Sequence, residues 1–324
     1  MNNKYFLPAI TGAVTAFILS AIQIMVQRPI ILLERFIHGG GWLEIVIVTL
    51  WASLISYHMQ DPFKQPKWRV RIWIIFSFVF FSQLLLGIAG FERFLMTGEL
   101  HLPVPMMIIG GAVFRVEIGF MPILFLSTVI LSGPAWCSQL CYFGAIDALM
   151  SGKGKDRSRK RTHSRSTKIS ILVLVILTAI LLRLLKVDTL YTTIIAAGFG
   201  IIGLVIVFFI TPRMGKMIHC INYCPIGTLV NYLKYINPFR FRIDDTCTSC
   251  MRCTSVCKYD ALTPEDIKAR QPGITCTLCG DCMSVCKPGS FYYKFPGLKV
   301  NASRNLYLVL TISLYAIFLA LARI

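Results

Sequence analysis

Two cysteine runs within residues 247–286 decide how this part of the chain folds: Cys247 to Cys257 reads CTSCMRCTSVC, and Cys276 to Cys286 reads CTLCGDCMSVC. Both runs space their four cysteines by two, two and three residues, and eighteen residues separate them. Three thiolates this close together can wrap one iron–sulfur cubane, while the fourth is held away from the other three. The pattern therefore predicts two metal-binding loops within one small fold.

The spacing also predicts which thiolates share a cluster, because in this arrangement the last cysteine of each run binds the cluster of the other run. Structural zinc sites also use Cys-x2-Cys pairs, but a four-ligand zinc site does not need this order twice with its last ligand exchanged. We therefore expect two [4Fe-4S] clusters in a ferredoxin-like α+β domain. Cluster 1 takes Cys247, Cys250, Cys253 and Cys286, and cluster 2 takes Cys276, Cys279, Cys282 and Cys257.

Outside these runs the composition is that of a membrane protein. Of the 324 residues, 56% are hydrophobic, the mean hydropathy is +0.67, and several segments are long and apolar enough to span a bilayer as helices. We predict a membrane all-α protein with the ferredoxin-like domain inserted before the last helix. The seven predicted spans are 6–27, 42–58, 71–90, 117–133, 169–186, 190–211 and 305–323. The predicted domains are an N-terminal transmembrane region 1–116, a transmembrane repeat region 117–235, a ferredoxin domain 236–299 and a C-terminal helix 300–324.

The net charge of +18 indicates topology and not nucleic-acid binding, because it lies in loops at the ends of the spans. In segment 151–168 eight basic residues accompany one acidic residue: Lys153, Lys155, Arg157, Arg159, Lys160, Arg161, Arg165 and Lys168. Such loops stay in the cytoplasm and can touch anionic lipid, and cluster thiolates need a reducing compartment. We expect a prokaryotic inner membrane, with the N-terminus and ferredoxin domain cytoplasmic and the C-terminus outside. A docking surface for an acidic partner is the alternative interpretation of this segment.

The remaining four cysteines form two similar segments, WCSQLCYFG from Trp136 and HCINYCPIG from His219. Each follows a span, and an offset of 83 residues relates Cys137, Cys141 and Gly144 to Cys220, Cys224 and Gly227. Internal repeats place sites at their interface, and residues i and i+4 of a helical turn share a face. The four thiols Cys137, Cys141, Cys220 and Cys224 therefore predict a third metal centre, iron–sulfur or another soft metal. Buried free cysteines or a reversible pair of disulfides are the alternatives.

Segment 91–116, between the third and fourth spans, contains ionisable residues beside prolines and glycines. Glu99, His101 and Arg115 could line a quinone pocket at the outer leaflet. An ordinary interfacial loop with paired surface charges is the alternative. The same two interpretations apply to a second outward patch, which contains Arg28, Glu34, Arg35 and Glu44 beside Gly39-Gly40-Gly41.

These motifs resemble the NapH-like family of membrane-bound polyferredoxins, which serve as quinol dehydrogenase electron-transfer subunits. Related proteins are NosR and the ferredoxin accessory proteins of cytochrome oxidase assembly. The resemblance covers residues 117–297 and rests on paired Cys-x3-Cys motifs before two ferredoxin runs. The family has Cys-x3-Cys-Pro, which only Cys224-Pro225 reproduces, since Tyr142 follows Cys141. The resemblance implies electron transfer with quinone and with other subunits of a redox complex.

The cysteine content thus favours a membrane electron-transfer subunit that connects the quinone pool, or a membrane partner, with a redox partner. A metal-handling or maturation protein is an alternative, in which the ferredoxin domain reduces a metal held by the Cys-x3-Cys pairs. A redox-sensing regulator is a third interpretation. The sequence contains no haem-attachment Cys-x-x-Cys-His and no nucleotide fingerprint, so we expect that the chain works within an oxidoreductase complex.

Overall fold

The computed structural model of the protein describes residues 4–26, 29–94, 103–117, 119–153, 162 and 164–321. Glu99 and His101 of the predicted quinone site, Arg28 of the second patch and residues 154–161 of the basic segment lie outside the described residues. The chain forms two compact units, one of Met1–His101 with Gly297–Ile324 and the other of Leu102–Pro296. Helix α4 (Met107–Arg115) falls in the second unit, whereas the sequence assigned it to the N-terminal region 1–116. The division into four domains stays a prediction.

The described residues are mainly helical, with two short strands. The helices are α1 (Phe6–Met25), α2 (Gly40–Met59), α3 (Gln65–Ile88), α4 (Met107–Arg115), α5 (Phe120–Ser132), α6 (Tyr142–Gly152), α7 (Arg165–Leu184), α8 (Thr189–Val205), α9 (Thr211–Met214), α10 (Pro225–Leu233), α11 (Arg252–Val256), α12 (Pro264–Lys268) and α13 (Val300–Leu321). The strands are β1 (Arg240–Ile243) and β2 (Phe291–Lys294). Short 3-10 turns cover Leu33–Arg35, Glu92–Phe94, Gly133–Ala135 and Asp281–Val285, and π-helical turns cover Trp136–Leu140, Ile206–Ile210 and His219–Tyr223.

Within the part of the chain that the structure describes, seven helical segments are long and apolar enough to cross a membrane, and they correspond to the seven predicted spans. They are Phe6–Met25, Gly40–Met59, Gln65–Ile88, Met121–Leu140, Arg165–Leu184, Thr189–Met214 and Val300–Leu321. The fourth span ends later than predicted, because α5 is followed by a 3-10 turn at Gly133–Ala135 and a π-helical turn at Trp136–Leu140. A multi-pass membrane protein is thus compatible with the fold, while the membrane type and the orientation stay predictions.

In the first unit, α13 packs against α1 and α2, and polar side chains join these helices. The Thr11 hydroxyl donates to Ser56 Oγ at 2.9 Å. The Thr15 hydroxyl donates to Ser313 Oγ at 3.1 Å. Interhelical hydroxyl bonds of this kind stabilise helix packing within membranes, where lipid offers no alternative partner.

The second outward patch of the sequence analysis belongs to this unit, and its charged groups bind backbone. Glu34 accepts hydrogen bonds from the Gly39 and Gly41 N–H groups, and Glu44 accepts one from Leu33. The Arg35 guanidinium donates to the Ile30 carbonyl and to the carbonyl of Leu321, the last residue of α13. The described members of the patch therefore fasten a loop and a helix end, which favours the structural interpretation over a ligand site.

The second unit begins with α4, which packs against α7. The Arg183 guanidinium of α7 donates to the Phe114 carbonyl at 2.8 Å and so satisfies one of the free carbonyls at the end of α4. Two short helices, α6 and α10, follow the two Cys-x3-Cys segments, where the sequence predicted short amphipathic stretches.

The cysteine-rich part of this unit is closed by an antiparallel pair of strands, in which β1 at residue Arg240 pairs with β2 at Lys294. Their inward side chains Phe241, Phe291 and Tyr293 are buried together. Between the two cysteine runs, Thr263 begins α12 with a complete capping box to Asp266. A Thr-Pro-Glu-Asp sequence is typical of a helix start, with Thr as the N-cap and Pro at the first helical position.

Candidate iron–sulfur sites and the four-thiol site

The two ferredoxin-type loops share their left-handed positions, displaced by 29 residues, although an α-helical turn follows the first loop and a 3-10 turn follows the second. Both residues that flank the second cysteine of a run have positive φ: Ser249 and Met251 in the first loop, Leu278 and Gly280 in the second. Left-handed residues are unusual outside glycine, and three of these four are not glycine. Where left- and right-handed residues alternate, successive backbone N–H groups point into one concavity. This geometry is found at iron–sulfur sites. The loops thus place backbone donors where a cluster would lie.

Each loop, completed by one cysteine of the other run, surrounds a cavity. Four cysteines lie in the wall of the first cavity: Cys247, Cys250, Cys253 and Cys286. The other four lie in the wall of the second: Cys257, Cys276, Cys279 and Cys282. These are the two sets that cross-ligation predicts from the sequence. Ligation itself stays a prediction.

A cluster and a single ion require different spacings of the four thiols. Among the described residues, no three His, Cys, Asp or Glu side chains converge as the ligands of one metal ion would. Around a single zinc ion with Zn–S bonds of 2.3 Å the sulfurs lie about 4 Å apart. In a cubane each thiolate binds a different iron, so the sulfurs stand farther apart. The choice between the iron–sulfur and the zinc interpretation of these cavities stays a prediction.

The two cavities differ in their exposure. Cys250 of the first is exposed, and the backbone N–H of Arg252 is the main cause that lowers the pKa of its thiol. In the second, burial raises the pKa of Cys257 and of Cys282 well above their ordinary value, and neighbouring thiols add to the effect. The cysteines of cluster 2 can therefore be thiolates only when a bound metal compensates their negative charge.

The Cys-x3-Cys pairs lie on π-helical turns and not on the α-helical turns that we expected. Trp136–Leu140 and His219–Tyr223 form these turns, each closed by the N–H of the following cysteine. Cys141 donates to the Trp136 carbonyl and Cys224 to the His219 carbonyl, both at 2.9 Å. The 83-residue repeat therefore extends from the sequence to an uncommon backbone, and π-helical turns are frequent at functional sites.

The second cysteine of each pair is extended and stands at the N-cap of the next helix, Cys141 before α6 and Cys224 before α10. Its sulfur receives backbone hydrogen bonds, for Cys224 from the Gly227 N–H at 3.4 Å. Phe143 and Gly144 supply the equivalent bonds to Cys141. Two helix N-termini, which favour negative charge, thus converge on thiol sulfurs. A Cβ on Gly227 would lie 2.8 Å from the Cys220 carbonyl oxygen, so a side chain at this position would force the backbone to shift.

All four thiols of the two pairs share one buried region, which we call the four-thiol site (Cys137, Cys141, Cys220 and Cys224). Burial raises the pKa of Cys220 well above its ordinary value, and Asp147 and the other three thiols raise it further. Burial, with a smaller contribution from Cys224, raises the pKa of Cys141 to about 12. The structure thus brings together the four cysteines that the repeat predicted as a third centre, and metal binding there stays a prediction.

Two charged residues beside the four-thiol site were not recognised in the sequence. Asp147 of α6 is fully buried and accepts bonds from the Thr211 hydroxyl at 2.7 Å and the Cys220 N–H at 3.0 Å. Burial raises the pKa of Asp147 to about 6, although these bonds oppose the shift. Lys168, which the sequence analysis counted in a basic loop, is buried in the first turn of α7. A lone acid within the apolar run 145–150 was a signal that could have identified Asp147.

His219, beside Cys220, is a packing residue. Its ring stacks on Phe143 and contacts Tyr223. Burial lowers the pKa of His219 to about 4, so the imidazole is neutral at physiological pH. Gly203 of α8 allows this position, because a Cβ there would lie 2.8 Å from His219 Cε1.

The cluster 2 loop contacts the four-thiol site directly. The Tyr259 hydroxyl, two residues after Cys257, donates to the Cys137 carbonyl at 3.0 Å. The Ser138 hydroxyl, next to Cys137, donates to the Thr277 carbonyl at 3.4 Å. Both hydrogen bonds are buried, so a π-helical turn and the cluster 2 loop form one packed region.

Lysines fasten the same region. The Lys234 ammonium of α10 donates to the Ile274 carbonyl at 2.6 Å and approaches the Gly273 and Cys276 carbonyls. Lys216 and Asp260 form a buried ion pair at 2.5 Å. Lys258, which follows the cluster ligand Cys257, donates to the Ala148 carbonyl at 3.0 Å. The ferredoxin-like segment is therefore an integral part of the second unit.

Of the predicted quinone site only Arg115 lies within the described residues. It is exposed at the end of α4. The quinone site stays a prediction.

One family, described as a 4Fe-4S binding domain, matches the chain twice, over residues 115–161 and 196–243. Each match contains one Cys-x3-Cys segment, and both end before the cysteine runs that begin at Cys247. No curated protein and no solved structure matches the chain.

The two matches support an iron–sulfur protein of ferredoxin type. Together with the helices of the fold they define its class, a mostly helical iron–sulfur protein with seven helices long enough to span a membrane. The narrower resemblance to the NapH-like family stays a prediction, because the matched family is described only by its cluster.

Proposed function

We propose that this protein is a membrane electron-transfer subunit whose path runs from the four-thiol site through cluster 2 to cluster 1. The observation that supports this order most directly is the hydrogen bond from Tyr259 to the Cys137 carbonyl. It connects a residue beside a cluster 2 ligand with a residue of the four-thiol site. Exposed Cys250 makes cluster 1 the end of the path that a redox partner can approach.

When bound, each [4Fe-4S] cluster exchanges one electron, so a series of clusters can divide a two-electron donor reaction into single steps. The chain's own residues hold the sulfurs, exclude water and tune the charge around them. The left-handed residues Ser249 and Leu278 orient backbone donors, and buried Cys282 lies in the wall of the second cavity. Gly227 lets α10 approach the second π-helical turn closely enough for its N–H to reach Cys224.

We further propose that the membrane-side partner is quinone or a membrane redox subunit, and that the ferredoxin part faces the cytoplasm. The seven apolar helices support contact with a lipid-soluble partner. The eight basic residues within 151–168 support the orientation, by the rule that positive loops remain inside. The direction of electron flow depends on the potentials of the partners.

The test is a double variant, Cys141→Ala with Cys224→Ala, prepared without oxygen in lipid vesicles. Dithionite should still reduce both ferredoxin clusters, because their eight ligands are intact. Reduction of the two clusters by a quinol analogue should fall to the background level, because the path is interrupted before cluster 2. Stopped-flow absorbance in the visible range measures both reactions.

The control is Ser127→Ala, in the same span as Cys137 but with its hydroxyl bonded within α5; it should leave both reactions unchanged. If the double variant reacts with the quinol analogue as fast as the wild type, the four-thiol site is not on the path. If dithionite reduces the wild type but the quinol analogue does not, the quinone partner is wrong. A protein electron donor is then the remaining form of the proposal.

A further inference from the structure

Lys168 is a buried cation for which the proposed electron path, as stated, gives no role. Its side chain is only 4% exposed, and it stands in the first turn of α7, which Ser164 caps by accepting the Thr167 N–H. Helix α7 packs against α10 and against the π-helical turn His219–Tyr223. The Lys168 carbonyl also accepts a hydrogen bond from Thr228 of α10 at 3.4 Å. The backbone on both sides of this lysine is therefore fixed.

The charges that face Lys168 come from the four-thiol site. Its ammonium interacts electrostatically with the sulfurs of Cys137, Cys224 and Cys220, while the ammonium of Lys234 opposes it. Within the part of the chain that the structure describes, no carboxylate forms a salt bridge with Lys168. The nearby acid Asp147 is instead bound by Thr211 and the Cys220 N–H.

A buried cation without a carboxylate partner is unfavourable unless another anion compensates it. Four neutral thiols do not compensate it, whereas four metal-bound thiolates do. The helix N-termini at Cys141 and Cys224 and the N-terminus of α7 add partial positive charge on the same side. Lys168 and these helix N-termini thus favour an anionic centre, whereas the carboxyl of Asp147 opposes it.

We propose that Lys168 is the charge-compensating residue of the four-thiol site and sets the reduction potential of the centre bound there. This rests on the proposed function, because it requires a metal–thiolate centre. Reduction adds one electron and no proton to the centre and makes it more negative. A fixed ammonium beside the sulfurs therefore favours the reduced form and raises the potential.

The experiment compares Lys168→Met, which keeps length and removes charge, with Lys168→Arg, which keeps charge. Lys153→Met is the matched control, because Lys153 is an exposed lysine at the end of α6 in the same unit. Metal analysis and anaerobic redox titration by EPR follow the third centre in each full-length protein. The potentials of clusters 1 and 2 serve as internal references.

In Lys168→Met the ratio of reduced to oxidised centre at a given potential should fall about tenfold, which is about 59 mV for one electron. Lys168→Arg and Lys153→Met should titrate like the wild type. If Lys168→Met loses the centre, retention of centre and potential in Lys168→Arg still supports the proposal. The proposal is overturned if Lys168→Met titrates like the wild type or if the arginine variant also loses the centre.

A wild-type protein with about eight irons and no other metal would instead show that the four-thiol site binds nothing. That result would contradict the third centre of the proposed function. An unchanged potential in a Lys168→Met protein that carries the centre would contradict only the role of Lys168.

Discussion

The cluster 1 and cluster 2 loops have the same cysteine spacing and the same left-handed positions, yet their surroundings are opposite. Cys250 is exposed, whereas the equivalent Cys279 is partly buried. Exposed Arg252 stands where the second loop has buried Asp281. The comparison teaches that the cysteine spacing and the left-handed positions repeat, while the residues between the cysteines, such as Arg252 and Asp281, make the charge and exposure of the two loops differ.

The largest effect that separates the two sites should come from removing the fourth ligand of each cluster, one at a time. Cys257→Ala should abolish the EPR signal of cluster 2, and Cys286→Ala that of cluster 1, because each residue lines the cavity of the other run. EPR of dithionite-reduced protein, together with iron analysis, measures the loss.

Each of these two variants is the control for the other, since both remove one thiol from the same fold. A Cys257→Ala protein that keeps cluster 2 and loses cluster 1 would show that the ligands are not exchanged between the runs.

An intermediate effect should come from Lys234→Met, which concerns cluster 2 alone. The Lys234 ammonium bonds carbonyls of the 273–276 segment, and a hydrogen bond with a charged group contributes about 1.5–3 kcal/mol. Without it the cluster 2 loop should open more often. Cluster 2 should then lose its EPR signal faster than cluster 1 during incubation with an iron chelator.

Lys268→Met removes the same charge from an exposed residue of α12. It should leave unchanged the rates at which the two clusters lose their EPR signals. Equal acceleration of both clusters by Lys234→Met would mean that the lysine stabilises the whole fold and not the second loop.

The smallest effect should come from Arg252→Asp, which gives the first loop the charge type of the second. A negative side chain beside cluster 1 disfavours its reduced form, so the potential of cluster 1 should fall while that of cluster 2 stays constant. Because the side chain is exposed and screened by salt, the shift should be only about threefold in equilibrium, on the order of 30 mV for one electron. Redox titration at low ionic strength measures it. An upward shift, or a shift of cluster 2 alone, would contradict this assignment of the two loops.

Much of the fold was predictable, because the signals for it are local. Spans such as Val300–Leu321 follow from a long apolar run, and the start of α12 follows from Thr263 and Pro264. The grouping of Cys286 with the first run was predictable from spacing alone. These features depend on neighbours in the sequence or on a repeated pattern.

The surroundings of the sites were not predictable, because they depend on contacts between distant residues. Nothing near Tyr259 in the sequence indicates a hydrogen bond to Cys137. Lys168 follows seven other basic residues in its segment, so its charge indicated a loop, whereas packing buries it beside thiols. The π-helical turns were missed because their backbone depends on Cys141 and Cys224 leaving the helix, which residue spacing does not show.

The position of α13 in the chain has a consequence for biosynthesis. This last helix packs with α1 and α2, although the whole second unit is translated between them. The ribosome adds about 5–20 residues per second. The N-terminal helices therefore lack their partner α13 for as long as the second unit is being synthesised. During that interval Thr15 lacks Ser313. Cofactor insertion into the second unit can therefore begin before the first unit closes, and a chain that stops short of α13 would leave three helices for quality-control proteases to recognise.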